Sequence, residues 1–143
     1  MTNTTKPAAS LGLLVLRIVV GGVFAAHGAQ KVFEYTLPGT AQAFAGMGAP
    51  FPEFVGPAIA LLELVGGILL SAGVLTRPVA ILLAGDMVGA IVLVHLSAGL
   101  WVGDGGYEFV AVLGAAALAL ALTGAGQYSL DKLLMRGRAR VLA

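Results

Sequence analysis

Apolar runs, each near the length of a bilayer span, alternate with short polar breaks along the chain. They cover about residues 11–33, 54–75, 78–100 and 107–123. A helix needs about 20 apolar residues to cross the hydrocarbon core, so the pattern predicts four transmembrane helices. The break between the second and third is Thr76-Arg77-Pro78. So short a link forces an antiparallel pair, and Pro78 suits the first turn of a helix, where its missing N–H is not needed. Residues 34–52 are too polar and interrupted to span, and 38–47 within them is predicted as a short helix at the membrane surface. After Thr123, GAGQYSLDKLL predicts a helix stop and a new start capped by Ser129. The whole chain, 1–143, is then a single four-span domain with a short basic tail at 127–143.

Composition turns this pattern into a class. Hydrophobic residues make up 59% of the chain and charged ones 10%, and the mean hydropathy is +0.98. Soluble proteins carry about 25% charged residues, so a water-facing surface cannot be built from this set. The expected fold is all-α, an integral membrane four-helix bundle. Small residues four apart, at Gly22/Ala26, Gly67/Ser71, Gly85/Gly89 and Ala111/Ala115/Ala119, predict close helix contacts, because lipid supplies no hydrophobic drive for helix association.

Charge placement sets the orientation. Lys6, Arg77, Lys132, Arg136, Arg138 and Arg140 share one side, whereas Glu34, Glu53 and Asp104 lie on the other with Lys31 at its margin. The positive-inside rule then puts both termini in the cytoplasm. Arg17 interrupts the first run, which is longer than a signal-peptide core, so that run is expected to be a retained helix. The arginines beside the last helix fit an orientation signal attracted to anionic lipid, and nucleic acid is not an expected partner. The absence of cysteine excludes self-contained dithiol exchange and thiolate-held iron–sulfur clusters. No metal-ligand spacing, phosphate loop or nucleophile triad occurs.

Polar residues inside the spans carry the candidate chemistry, since a charge in hydrocarbon costs at least a few kcal/mol. Arg17, Glu63 and Asp86 fall near mid-membrane. An ion pair of Arg17 with Glu63 or Asp86 would lock the helices, and would leave the other carboxylate either protonated or paired outside the chain. His27 lies roughly 8 Å and His95 roughly 12 Å outward of centre at 1.5 Å per residue, and Glu108 opens the fourth span at a similar depth. His27, Gln30 and Lys31 are spaced i, i+3 and i+4 and so share a helix face. Together with His95 and Glu108 they suggest a ligand pocket, although Lys31 alone could be a snorkelling anchor. Imidazole, amide and ammonium are the donors that a quinone carbonyl needs, and imidazole as a side-chain type changes charge near neutral pH.

In such a pocket His27, Gln30, Lys31 and His95 would bind the ligand, Glu108 would serve as counter-charge or proton acceptor, and Glu63 would be a mid-membrane proton site. Asp86 and His95 are nine residues apart, about 180° on an ideal helix, so both can face inward only if the third span bends near Gly85 or Gly89. That conflict also tells against a bis-histidine haem on His27 and His95.

The runs LR at 16–17, HGAQK at 27–31, ELVGG at 63–67, TRP at 76–78, VHLSAGLW at 94–101, GGYEF at 105–109 and TGAGQYSLD at 123–131, with the GAPFP turn after Met47, together resemble the DoxX family of small four-helix bacterial membrane proteins. The resemblance covers nearly all of residues 11–131. It implies a multi-pass protein of the bacterial plasma membrane with a link to quinone or redox chemistry, because the family takes its name from a subunit of a thiosulfate:quinone oxidoreductase. It carries over His27, Gln30, Lys31, Glu63, Arg77, His95 and Glu108 as family-like polar sites without assigning them roles, and Asp86 is not part of its pattern. The resulting expectation is a subunit that binds a quinone or small redox ligand in the outer half of the bundle and works with a protein partner. The alternative is a non-catalytic scaffold or assembly subunit of a larger complex. A transporter built as a homo-oligomer would be a further class.

Overall fold

The computed structural model describes residues 7–134, and among these all regular structure is helical. Helix α1, Pro7–Ala29, continues into a π-helical turn at Gln30–Glu34. Helix α2, Leu37–Gly46, is the short element expected between the first two spans, and α3 covers Pro52–Ala72. Helix α4, Thr76–Ala90, runs into a second π-helical turn at Ile91–His95 and a 3₁₀ turn at Leu96–Ala98. Helix α5 is Glu108–Thr123 and α6 is Leu130–Leu134. Three of these helical stretches, Pro7–Glu34, Pro52–Ala72 and Thr76–Ala98, are long and apolar enough to cross a membrane. The fourth apolar helix, α5, has 16 residues, about 24 Å at 1.5 Å per residue against a hydrocarbon core of about 30 Å.

The bundle is two tight pairs. Helix α1 packs on α3, and α4 packs on α5. On α1, Gly21 and Gly28 lie against α3, and on α3, Gly67 lies against the backbone of Ala25. A Cβ at any of the three would come closer than 3.0 Å to backbone of the opposite helix, so only glycine allows the approach. The expected contact at Gly22 is therefore displaced by one residue. The open surroundings of Gly22, Gly85 and Gly89 show that those glycines are not at helix contacts. Four-residue spacing fixes a stripe, but the rotation of the whole helix decides which stripe is used.

A core that includes Phe24, Leu70, Leu83, Ala117 and Leu120 joins the two pairs. Outward-facing Ile18, Val19, Ile81, Val88, Val112 and Leu122 are each more than half exposed. Such a belt would be a liability in water, and in lipid it is the expected surface.

At the terminal end, the segment after α5 folds back over the α3–α4 turn. The Asp131 carboxylate accepts from the backbone N–H groups of Leu75 (2.8 Å) and Thr76 (3.1 Å). The free donors at the start of α4 are thus met by a residue remote in sequence, while Leu75 itself takes a left-handed conformation at φ +50°. Thr76-Arg77-Pro78 is consequently the first turn of α4, and the link is Gly73–Leu75. Ser129 accepts from the Lys132 N–H at 3.3 Å, as a cap of α6. Lys6, Arg136, Arg138 and Arg140 lie outside the described residues.

Candidate functional site

Gly28 is the pivot of the site. Its bare backbone rests on Glu63 and Leu64 of α3. Lys31, three residues on, emerges on the same face and forms an ion pair with Glu63. The Glu63 side chain is 5% exposed and that of Lys31 22%, so Lys31 does not snorkel away from the bundle. The π-helical turn carries Lys31 into this position: wider i→i+5 winding, with the Tyr35 N–H donating to the Gln30 carbonyl at 3.0 Å, leaves the Lys31 carbonyl to accept from the hydroxyl of Thr40 at 2.9 Å. Thr40, buried on α2, thereby fixes the height of Lys31. Sequence reasoning missed Thr40, and nothing in a hydroxyl nine residues downstream would have pointed to it.

The mid-membrane ion pair expected for Arg17 is corrected. Glu63 pairs with Lys31, whereas Arg17, 2% exposed, extends toward the terminal end. There its guanidinium lies over Gly73, donates to the Tyr128 carbonyl and has Asp131 as the carboxylate acting on it. An arginine side chain spans several residues of helix rise, so depth of the Cα alone misplaced its charge. Asp86 instead lies beside Glu63 with Lys31 near both. Its Oδ2 is buried with no hydrogen-bond donor. Two carboxyl groups in contact are acceptor against acceptor unless a proton or an outside donor lies between them.

The second π-helical turn, Ile91–His95, resolves the wheel conflict. A wider turn advances less angle per residue, so Asp86 and His95 come to line the same cavity. The bend predicted at Gly85 or Gly89 is replaced by this change of winding, of the kind that recurs at functional sites. His95 Nδ1 lies 2.6 Å from the Gly105 carbonyl. A carbonyl can only accept, so Nδ1 carries the proton and, in the neutral ring, Nε2 keeps a free lone pair. The loop that holds Gly105 is itself pinned, by N–H groups of Tyr107 and Glu108 donating to the carbonyls of Gly99 (3.0 Å) and Leu100 (2.9 Å).

These elements enclose two cavities. The inner one, about 260 Å³, lies between α1, α3, α4, α5 and the Gly105–Gly106 loop, with His27, Lys31, Glu63 and His95 as its polar lining. The His27 ring stands 6.4 Å from that of Phe109, tilted by 47°, and no hydrogen bond to another described residue holds it. The second cavity, about 410 Å³, lies between α2, α3 and α4; Lys31, Glu63 and His95 line it too, and Asp86 joins them. His27, Lys31, His95 and Glu63 are therefore brought together from three helices. Gln30 and Glu108 are not. Gln30 donates to Glu34 at 3.2 Å, and Glu108 opens α5, where a carboxylate complements the helix N-terminus; neither lines either cavity.

The inner space far exceeds the roughly 30 Å³ of a water and is small for a drug-sized molecule. A single substituted ring fits it better than a macrocycle. Lys31 has two ammonium protons beyond the one given to Glu63, and His27 is uncommitted, so donors suited to a ring carbonyl face the space.

Comparisons with known proteins give the same class. A model of the DoxX family matches residues 12–96, a range that holds every polar residue named above for the two cavities. CatD of Bacillus subtilis (strain 168), provisionally named an oxidoreductase, is 36% identical over 128 residues, covering 90% of each chain. The inner membrane protein YqjF of Escherichia coli (strain K12) is 34% identical over 129 residues, covering 90% of this chain and 96% of YqjF. YphA, an inner membrane protein of the same organism, is 35% identical over 126 residues, covering 84% and 88%. No solved structure matches the chain.

Proposed function

This chain belongs to the DoxX family of membrane proteins, and from that premise we propose that it is a membrane subunit that binds a quinone or similar small redox ligand in the inner cavity and works with a protein partner. The observation that carries the reading is the convergence of His27, Lys31 and His95 on one ring-sized space beside the carboxyl groups of Glu63 and Asp86. CatD's name as an oxidoreductase favours redox chemistry over a purely architectural role.

A bound quinone would supply reversible two-electron, two-proton chemistry at its carbonyl oxygens. The chain's own residues orient and protonate. Lys31 and His27 donate to a ring oxygen, and the Lys31–Glu63 pair keeps the ammonium from turning away. His95, held through Nδ1, offers Nε2 as acceptor to a ligand hydroxyl. Glu63 and Asp86 form an acid pair able to hold a proton at the inner end of the site. The chain has no cysteine and so does no thiol redox chemistry of its own; in this reading a partner supplies or takes the electrons, and sulfur chemistry would belong to that partner.

The topology we propose is four spans with both termini cytoplasmic, in the bacterial plasma membrane. Helix α5 then crosses with the help of Tyr107 and residues around Gly124. The distribution of Arg77 and Lys132 against Glu34, Glu53 and Asp104 supports the orientation, and it places the inner cavity toward the outer face.

Protein purified in mild detergent from native membranes tests the reading by organic extraction of its quinone. Wild type should retain quinone and His27→Ala should lose most of it. Wild type without quinone, bound or exchangeable, would leave the scaffold role as the better account.

A further inference from the structure

The two cavities share Lys31, Glu63, Ala90 and His95, so they are neighbours with that group of side chains as their common wall. The inner part holds the polar donors. Apart from the shared residues and Asp86, the 410 Å³ part is apolar, between Val55 and Ile59 of α3 and Gly85, Gly89 and Leu93 on the other wall. It occupies the seam between the two tight helix pairs, where α3 and α4 touch far less than α1 and α3 do. Gly85 and Gly89 have nothing within 4 Å of where a Cβ would sit. Their lack of side chains therefore holds the seam open and does not bring helices together.

The rim is exposed at Met47, Leu93 and Val94. Leu93 and Val94 belong to the apolar stretch Thr76–Ala98, which puts the mouth at the side of the bundle, against hydrocarbon.

We infer that the α3–α4 seam is a lateral portal for the hydrocarbon tail of the ligand, with Gly85 and Gly89 as the residues that admit it. The inference rests on the ligand assignment above and adds its chemical class: an amphiphile whose ring sits among His27, Lys31 and His95 and whose alkyl or isoprenoid chain leaves past Gly89 into the membrane. The adjacency of the two cavities at one polar group fits this shape. A compact water-soluble ligand would have no use for the apolar branch.

The test compares two probes on purified protein in nanodiscs: a benzoquinone with a decyl chain and the same ring without the chain. Gly89→Leu should weaken the tailed probe about tenfold or more, the scale of steric exclusion from an apolar pocket, and leave the tail-less ring within about twofold of wild type. Equal effects on both probes, or no effect on either, would overturn the portal while leaving the ring site standing. Failure of wild type to bind either probe would overturn both. A tailed probe with a diazirine at mid-chain gives a second reading that needs no substitution. On wild type it should crosslink to residues of the seam such as Ile59, Gly89 and Leu93, and crosslinks confined to α5 or α1 would contradict the portal.

Discussion

Lys31 and Glu63 are joined across the α1–α3 contact, the lysine on a π-helical turn and the glutamate on the buried face of α3. Gly28 makes the pair possible by letting α1 settle on the backbone at Glu63–Leu64. One pair thus ties helix packing to the polar lining of both cavities.

Breaking that pair from one side leaves a charge without its partner in a desolvated place. Lys31→Met should lower stability by about 3 kcal/mol, the low end for such pairs because Lys31 is partly exposed. The double variant Lys31→Met/Glu63→Gln should recover a large part of that loss. Unfolding of the four proteins in mild detergent completes the cycle, and strictly additive losses would show that the two residues are not coupled.

The glycines separate into two kinds. Gly28→Ala or Gly67→Ala forces a Cβ into opposing backbone and should cost about 2 kcal/mol, as overpacking does. Gly22→Ala meets open space and should gain about 0.5 kcal/mol from helix propensity. Melting temperatures moving together in all three would refute the assigned helix rotation.

Asp131 is expected to hold the start of α4 from a distance. Asp131→Ala removes the acceptor for two N–H groups and should cost about 1–2 kcal/mol, as loss of a helix cap does. Hydrogen exchange should accelerate at Leu75 and Thr76 while the amides around Lys31 stay protected. Uniform acceleration along the chain would mean that the contact is not a local cap.

His95→Ala should loosen the loop around Gly105 and weaken quinone binding about tenfold, the scale of one hydrogen bond. Exchange at the Gly105–Tyr107 amides and a binding titration are read together. Weaker binding with an unchanged loop would assign His95 to the ligand alone, and no change in either would remove it from the site.

Much of this was legible in the residue pattern, and the misses share a cause. The apolar runs place the long helices, and the polar run with Pro38 places α2, since both signals are local. The face shared by His27 and Lys31 was also legible from spacing. The partner of Glu63 was not, because Arg17 on α1 and Lys31 on the π-helical turn that continues it belong to one helical stretch, and only the reach of each side chain decides between them. That Asp86 and His95 line one cavity was hidden as well: a π-helical turn has no composition signature in IVLVH, and an ideal wheel puts the two on opposite faces. Gln30 was drawn in by its spacing from His27 and Glu108 by depth, and neither signal tells whether a side chain reaches the cavity.

Ala90 lines both cavities at their junction, so filling it tests the central claim most directly. Ala90→Phe, checked for unchanged helical circular dichroism and melting temperature, should come from native membranes with its quinone gone. A folded Ala90→Phe protein that retains quinone at the wild-type level would contradict the account.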